Sequence, residues 1–135
     1  MSKNSRRVAI VGIGSTPRPG HDHPTRTGKE LVADAAYEAI GDARGLKPRD
    51  LDGAVVAYHG EGISEQGGIG GSVSDLLGIA PVPVFPHSMN CSGGSVARTT
   101  GHSMIAPGKY DRVLVLGVDK QSHNINYTQS IYLHV

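Results

Sequence analysis

Val82-Pro-Val-Phe85, followed by Pro86-His-Ser-Met-Asn90 and Cys91-Ser-Gly-Gly-Ser-Val-Ala97, reads as an extended apolar segment that runs into the start of a small-residue helix. Pro83 and Pro86 bring no N–H to a ladder, which predicts a strand at the edge of its sheet. The helix is predicted to run from Cys91 to about Ala106, closed by Pro107-Gly108. A strand that feeds a helix is the unit of a parallel α/β sheet, and the junction lies at the carboxyl end of the strand, where such sheets gather functional groups.

Cys91, the one cysteine of the chain, stands on that junction. A helix N-terminus presents unpaired N–H groups and the positive end of the macrodipole, both of which favour thiolate over thiol. Two readings follow from the residues alone: an activated nucleophile, or a small buried apolar side chain. Gly93 and Gly94 are poor helix formers, and at this position they fit the first reading by leaving room for a bulky acyl group against the backbone.

The same pattern extends outward from the junction. Val8-Ala-Ile-Val11, ended by Gly12-Ile-Gly14, and Gly53-Ala-Val-Val-Ala-Tyr58 are short apolar runs of the kind buried on both faces of a sheet, and Arg112-Val-Leu-Val-Leu-Gly-Val118 is a further one. Thr27-Gly-Lys-Glu30 has the form of a capping box, after which Leu31, Val32, Ala35, Ala36, Ala39, Ile40 and Ala43 recur at helical spacing up to Gly45. Ser72 is placed to cap a brief helix ending at Gly78. Strands alternating with helices predict an α/β fold with a mostly parallel sheet of about four strands covered by helices. Residues 1–120 read as one α/β domain, and residues 121–135, with no clear period, as an unassigned tail.

The 135-residue length fits one domain with a real core. A net charge of +1, one Phe, five Tyr and no Trp leave no basic stripe or stacking platform, which argues against nucleic-acid binding. No apolar run approaches the roughly 20 residues of a membrane span. One cysteine and no apolar leader predict a reducing, cytoplasmic setting.

Other polar groups read as structural. Gly12-Ile-Gly14 lacks the third glycine of a dinucleotide fingerprint and a nearby helix start, so it reads as a strand-end turn. His21-Asp-His23 has no third ligand at a fixed spacing and reads as a solvated loop, with no metal predicted. His59, His87 and His123 follow or end predicted strands, where a base is useful, yet polar or surface roles are preferred. His102 lies eleven residues beyond Cys91, about three helical turns, and out of its reach.

Four of these stretches, Val8-Ala-Ile-Val-Gly-Ile-Gly14, Gly45-Leu-Lys-Pro-Arg-Asp-Leu-Asp52, Asn90-Cys-Ser-Gly-Gly-Ser95, and Ile105-Ala-Pro-Gly-Lys-Tyr-Asp111 leading into Val113-Leu-Val-Leu-Gly-Val-Asp-Lys120, occur in an order that resembles the N-terminal half of the thiolase superfamily, most closely its sterol-carrier-protein and lipid-transfer types. The resemblance implies that Cys91 is the acyl-accepting nucleophile, with its backbone N–H in an oxyanion hole, and that the chemistry is acyl transfer from an acyl-CoA substrate in lipid metabolism, with no cofactor. It implies a homodimer through the third strand, Val82–Phe85. The Gly-His-Pro and Asn-Glu-Ala motifs of the family's second half do not occur in these residues, and neither does the second catalytic cysteine that the family carries in a Cys-x-Gly motif. Full turnover is therefore expected to need a chain that supplies that half, and the other expectations are a noncatalytic interaction or truncated module and a thiolase-fold aldolase.

Overall fold

The computed structural model describes residues 6–17, 23–60 and 68–120. In chain order its elements are α1 (Gly28–Asp42), a 3-10 turn (Pro48–Asp50), β1 (Gly53–Tyr58), α2 (Ile69–Leu77), β2 (Val84–Ser88), a second 3-10 turn (Asn90–Ser92), α3 (Gly93–Ile105) and β3 (Val113–Val118). The three strands form one parallel sheet in the order β2-β1-β3. The α/β class and the parallel sheet agree with the sequence reading, and β2 takes the edge position that its prolines predict.

β1 is the centre of the fold because nothing in it needs water. Ala54, Val55 and Val56 are fully buried, and each valine contributes about 1.5–3 kcal/mol of apolar burial. On one face Ala54 and Val56 meet Val32, Ala36 and Ile40 of α1 and Val73 and Leu77 of α2. On the other face Val55 and Ala57 meet Ala97 of α3. The sheet is thus sandwiched by α1 and α2 on one side and α3 on the other.

The ends of the elements follow local chemistry. Thr27 and Glu30 form the predicted capping box at the start of α1. One Asp52 carboxylate oxygen accepts from the N–H groups of Asp111 and Arg112, and the Asp52 N–H donates to the Arg112 carbonyl, which locks the start of β3 to the start of β1.

Three expectations change. Val8–Val11 forms no ladder, and Ile10 and Ile13 are 77% and 72% exposed. Just beyond the run, the Ile13 N–H donates to Asp42 and the Ser15 N–H to Glu38, so the segment is tied to α1. Gly12 and Gly14 permit this, since a Cβ at either would fall on the backbone of α1 near Ala39 and Ala35. The sheet among the described residues therefore has three strands. α2 begins at Ile69, not Ser72, because Ile69, Val73 and Leu77 lie at i, i+4 and i+8 and bury together. The third predicted strand is shifted by two residues, to Val84–Ser88.

Candidate active site

β2 ends at Ser88, and the chain must turn sharply to lay α3 back across the sheet. Asn90 makes that turn with a φ of 47°, a left-handed conformation that asparagine tolerates better than most residues. The Ser92 N–H donates to the Met89 carbonyl at 3.0 Å, closing the 3-10 turn. Cys91 sits in that turn, two residues before the α-helix, instead of in its first turn. Its thiol is exposed, which removes the reading of a buried apolar side chain.

Gly93, the first residue of α3, is buried against β1: a Cβ there would stand 3.3 Å from the Ala57 Cβ and 3.9 Å from the Tyr58 N and O. This close approach fixes the helix start over the carboxyl end of the central strand. Ser92, the N-cap, makes no side-chain bond to the first turn. The positive end of a 13-residue helix thus faces the segment that carries Cys91 without a side-chain oxygen to offset it.

The strand register sorts the neighbouring groups by face. Ala57 pairs with His87 and with Gly117, and Tyr58 with Ser88 and Val118. Val55 and Ala57 face α3, whereas Tyr58 and Val118 pack on the α1–α2 side. His87, level with Ala57, therefore lies on the α3 side, and its Nε2 is buried with no hydrogen-bond partner. One residue past the strand ends, His59 Nδ1 stands 3.7 Å from Asp119 Oδ2, an ion-pair distance longer than a hydrogen bond, with the His59 side chain 10% exposed and the Asp119 side chain 33%. The Ser88 hydroxyl donates to the His59 carbonyl at 2.8 Å.

His59 thus has a polar role, one of the two that the sequence reading preferred, with its side chain largely out of water. The signal that would have found it is its position: the first residue after a fully buried central strand lies under whatever covers that strand. His123 and the pair His21 and Asp22 lie outside the described residues, and His23 has a buried Nε2 without a partner. Among the described residues no group of three His, Cys, Asp or Glu could hold a metal ion. His102 is exposed near the far end of α3, and Lys120 donates to the Arg26 carbonyl on the opposite face.

A separate cavity of about 540 Å³ lies between residues 8–14, α1, α3 and β3, walled by Ile10, Ala39, Ile105 and Leu116 among others. Cys91 is not part of its wall. Gly12 and Gly14 border this cavity beside the middle of α1, so they approach no helix N-terminus that could hold a phosphate.

Residues 85–134 match the family model of 3-oxoacyl-[acyl-carrier-protein] synthase III. The chain is 28% identical over 127 residues to acetyl-CoA acetyltransferase of Methanothermobacter thermautotrophicus, covering 93% of this chain and 32% of the relative. It is 30% identical over 117 residues to sterol carrier protein 2 of Oryctolagus cuniculus, covering 84% and 20%. Its fold superposes on 3-oxoacyl-[acyl-carrier-protein] synthase III of Aquifex aeolicus with a TM-score of 0.73 at 24% identity, over 84% of this chain and 45% of the other. An Ltp2-ChsH2(DUF35) aldolase aligns with a TM-score of 0.62 at 24% identity, over 94% and 32%. The chain spans a third or less of the length of these two curated relatives. No helix of the described residues is long and apolar enough to cross a membrane. Motif order, sequence relatives and fold agree, and over most of its length the chain is similar to the N-terminal part of the thiolase superfamily.

Proposed function

We propose that the chain takes part in thiolase-like acyl transfer, with Cys91 as the nucleophile that accepts an acyl group from acyl-CoA. The observation that carries this reading is an exposed thiol held between the carboxyl end of β2 and the uncapped start of α3. A thiolate suits the step because it is both a strong nucleophile and a competent leaving group, so the acyl-enzyme can form and be discharged. The Cys91 backbone N–H would contribute to the oxyanion hole that stabilises the tetrahedral intermediate. The thioester is the substrate, and the reading calls for no further cofactor.

Complete turnover in this reading draws on a second thiolase half, supplied by another chain or another part of the protein. Association through β2 is the proposed dimer contact: among the described residues no strand pairs with the outer edge of β2, and Phe85 and Met89 beside it are 39% and 51% exposed. The same features favour a second reading, a noncatalytic module that works through this edge. The likeness to an aldolase adds a third, carbon–carbon cleavage without an acyl-enzyme.

Intact-mass spectrometry after incubation with acetyl-CoA tests the first reading. The expected result is one acetyl group, absent from Cys91→Ala. A chain that gains no acyl group even when a second thiolase half is supplied sinks acyl transfer at Cys91, and dimerisation without acylation supports the interaction module.

A further inference from the structure

We propose that the cavity between residues 8–14 and β3 is a place in the sheet for one further strand, and that residues 130–135 of this chain fill it, antiparallel to β3. The inference stands apart from acyl transfer at Cys91 and concerns the side of the sheet opposite β2.

The cavity lies in the plane of the sheet. Leu114 and Leu116 pack on the α1–α2 side of β3, and Val113 and Val115 face α3, yet all four border the cavity, so it opens off the outer edge of the strand. Residues 8–14 border it consecutively as well, with α1 as one wall and α3 as the other. This run is anchored at its ends. The Arg6 N–H donates to the Ala106 carbonyl and the Arg6 guanidinium pairs with Asp111 at 2.6 Å, while the Ile13 and Ser15 N–H groups go to α1 carboxylates. Between the anchors Ile10 and Val11 are exposed, and among the described residues no strand pairs with the run or with the outer edge of β3.

Two backbone edges that face one gap call for a peptide. An extended segment offers partners to the N–H and C=O groups of both edges, whereas an acyl chain offers none. Direction follows from α1. A Cβ on Gly14 would meet Ala35 and one on Gly12 would meet Ala43, so the run passes antiparallel to the helix. β3 does the same, since Lys120 just past its end donates to the Arg26 carbonyl just before α1 begins. A segment that returns from Lys120 therefore enters antiparallel to both.

The chain beyond Lys120 has the length and the pattern for this place. Residues 121–129 provide the connection, and the six residues 130–135 span about 20 Å, as β3 does with its six. The segment 121–135 has no period as a whole, but at its end Ile131, Leu133 and Val135 alternate with Tyr132 and His134. The two walls differ in the same sense. Val32, Ala39 and Ile40 make the α1 wall apolar, whereas the α3 wall brings Arg98 and His102. Ile131, Leu133 and Val135 match the first wall and Tyr132 and His134 the second, a match that a slip of one residue would reverse. Filling the place covers Ile10 and Val11 and closes this edge of the sheet, which leaves β2 as the edge open to other chains.

The test is hydrogen exchange on the full chain, read residue by residue by NMR. Alternate amides of β3 point away from β1; these, with the amides of residues 9–11 and 131–135, should exchange roughly 10²-fold or more slowly than free amides. Free exchange at these sites in the folded chain overturns the proposal without any variant. Leu133→Asp, which sets a charge against the α1 wall, should release the same amides and lower the urea midpoint, whereas His134→Asp, opposite Arg98 and His102, should do neither. Equal effects of the two substitutions overturn the proposal. Should Leu133→Asp fail to fold, Leu133→Ala against His134→Ala makes the same comparison. Protection that vanishes on dilution puts a second copy's segment in the place, and protection that arises only with an added second thiolase half puts that chain there; either outcome overturns the assignment to residues 130–135. Cys91→Ala should keep the protection, so that a failure of acyl transfer and a failure of this strand are read separately.

Discussion

Gly101 of α3 rests directly on Val115 of β3: a Cβ built on the glycine would stand 2.6 Å from Val115 Cγ2. The approach of α3 to the sheet is therefore limited by a missing methyl group, as it is at Gly93 over Ala57. Gly101→Ala should destabilise the fold by about 1–2 kcal/mol, because overpacking outweighs the gain in helix propensity. Gly41→Ala, at the exposed end of α1 where a new Cβ meets nothing within 4 Å, should stabilise it by about 0.5 kcal/mol. Urea unfolding of the two variants checks the opposite signs.

Asp52 anchors the start of β3 by accepting from two successive N–H groups at 3.1 and 2.9 Å. Asp52→Ala should lower stability by about 1.5 kcal/mol, the low end of the range for hydrogen bonds to a charged group because the carboxylate is exposed, and Asp52→Asn by less. Hydrogen exchange at Asp111 and Arg112 separates this cause from a general loss of stability, since these two amides should lose protection first.

The start of α1 should be sensitive to acid. Hydrogen bonds from the Thr27 N–H and hydroxyl hold the Glu30 carboxyl below its usual range, and the bond from Arg26 does the same for Asp34. Both groups release their protons more readily folded than unfolded. Their stabilisation is thus present above the ordinary carboxylate range and disappears as pH falls through the lowered folded values. Thermal unfolding should show native protein losing more stability than Glu30→Gln on acidification below about pH 4. Thr27→Ala removes the cap and should cost about 1 kcal/mol at neutral pH.

Cys91 contributes chemistry and little stability. Its side chain is exposed, so Cys91→Ala should unfold within about 0.5 kcal/mol of native protein while losing the acetyl adduct. A variant that also loses several degrees of melting temperature would show that the thiol packs against the fold, contrary to its exposure.

Much of the architecture was legible in the chain because it rests on local chemistry. The Thr27–Glu30 box, the apolar spacing of α1, the uninterrupted Gly53–Tyr58 run and the prolines of the β2 edge each act over a few residues, and each element formed where those residues stand. Val8–Val11 was misread because its composition suits a strand, while the residues just beyond it, Ile13 and Ser15, are tied to Asp42 and Glu38, twenty-nine and twenty-three residues away. α2 was started too late because Ser72 looked like a cap, although the periodic Ile69, Val73 and Leu77 were already visible. Cys91 was legible as a candidate from its place after a strand, but its exposure was not.

Apart from the Val8–Val11 run, the amino-acid sequence alone determined the order of strands and helices, the parallel α/β class, and the position of the one thiol between β2 and α3. It did so because capping, periodicity and the missing N–H of proline are properties of neighbours along the chain. Which groups meet beyond the strand ends, as His59 and Asp119 do past β1 and β3, was decided by tertiary structure. The side-chain period in a strand is two, so a slip of β3 by one residue against β1 would have sent Asp119 to the face opposite His59. That register is set by residues sixty positions apart packing into one core.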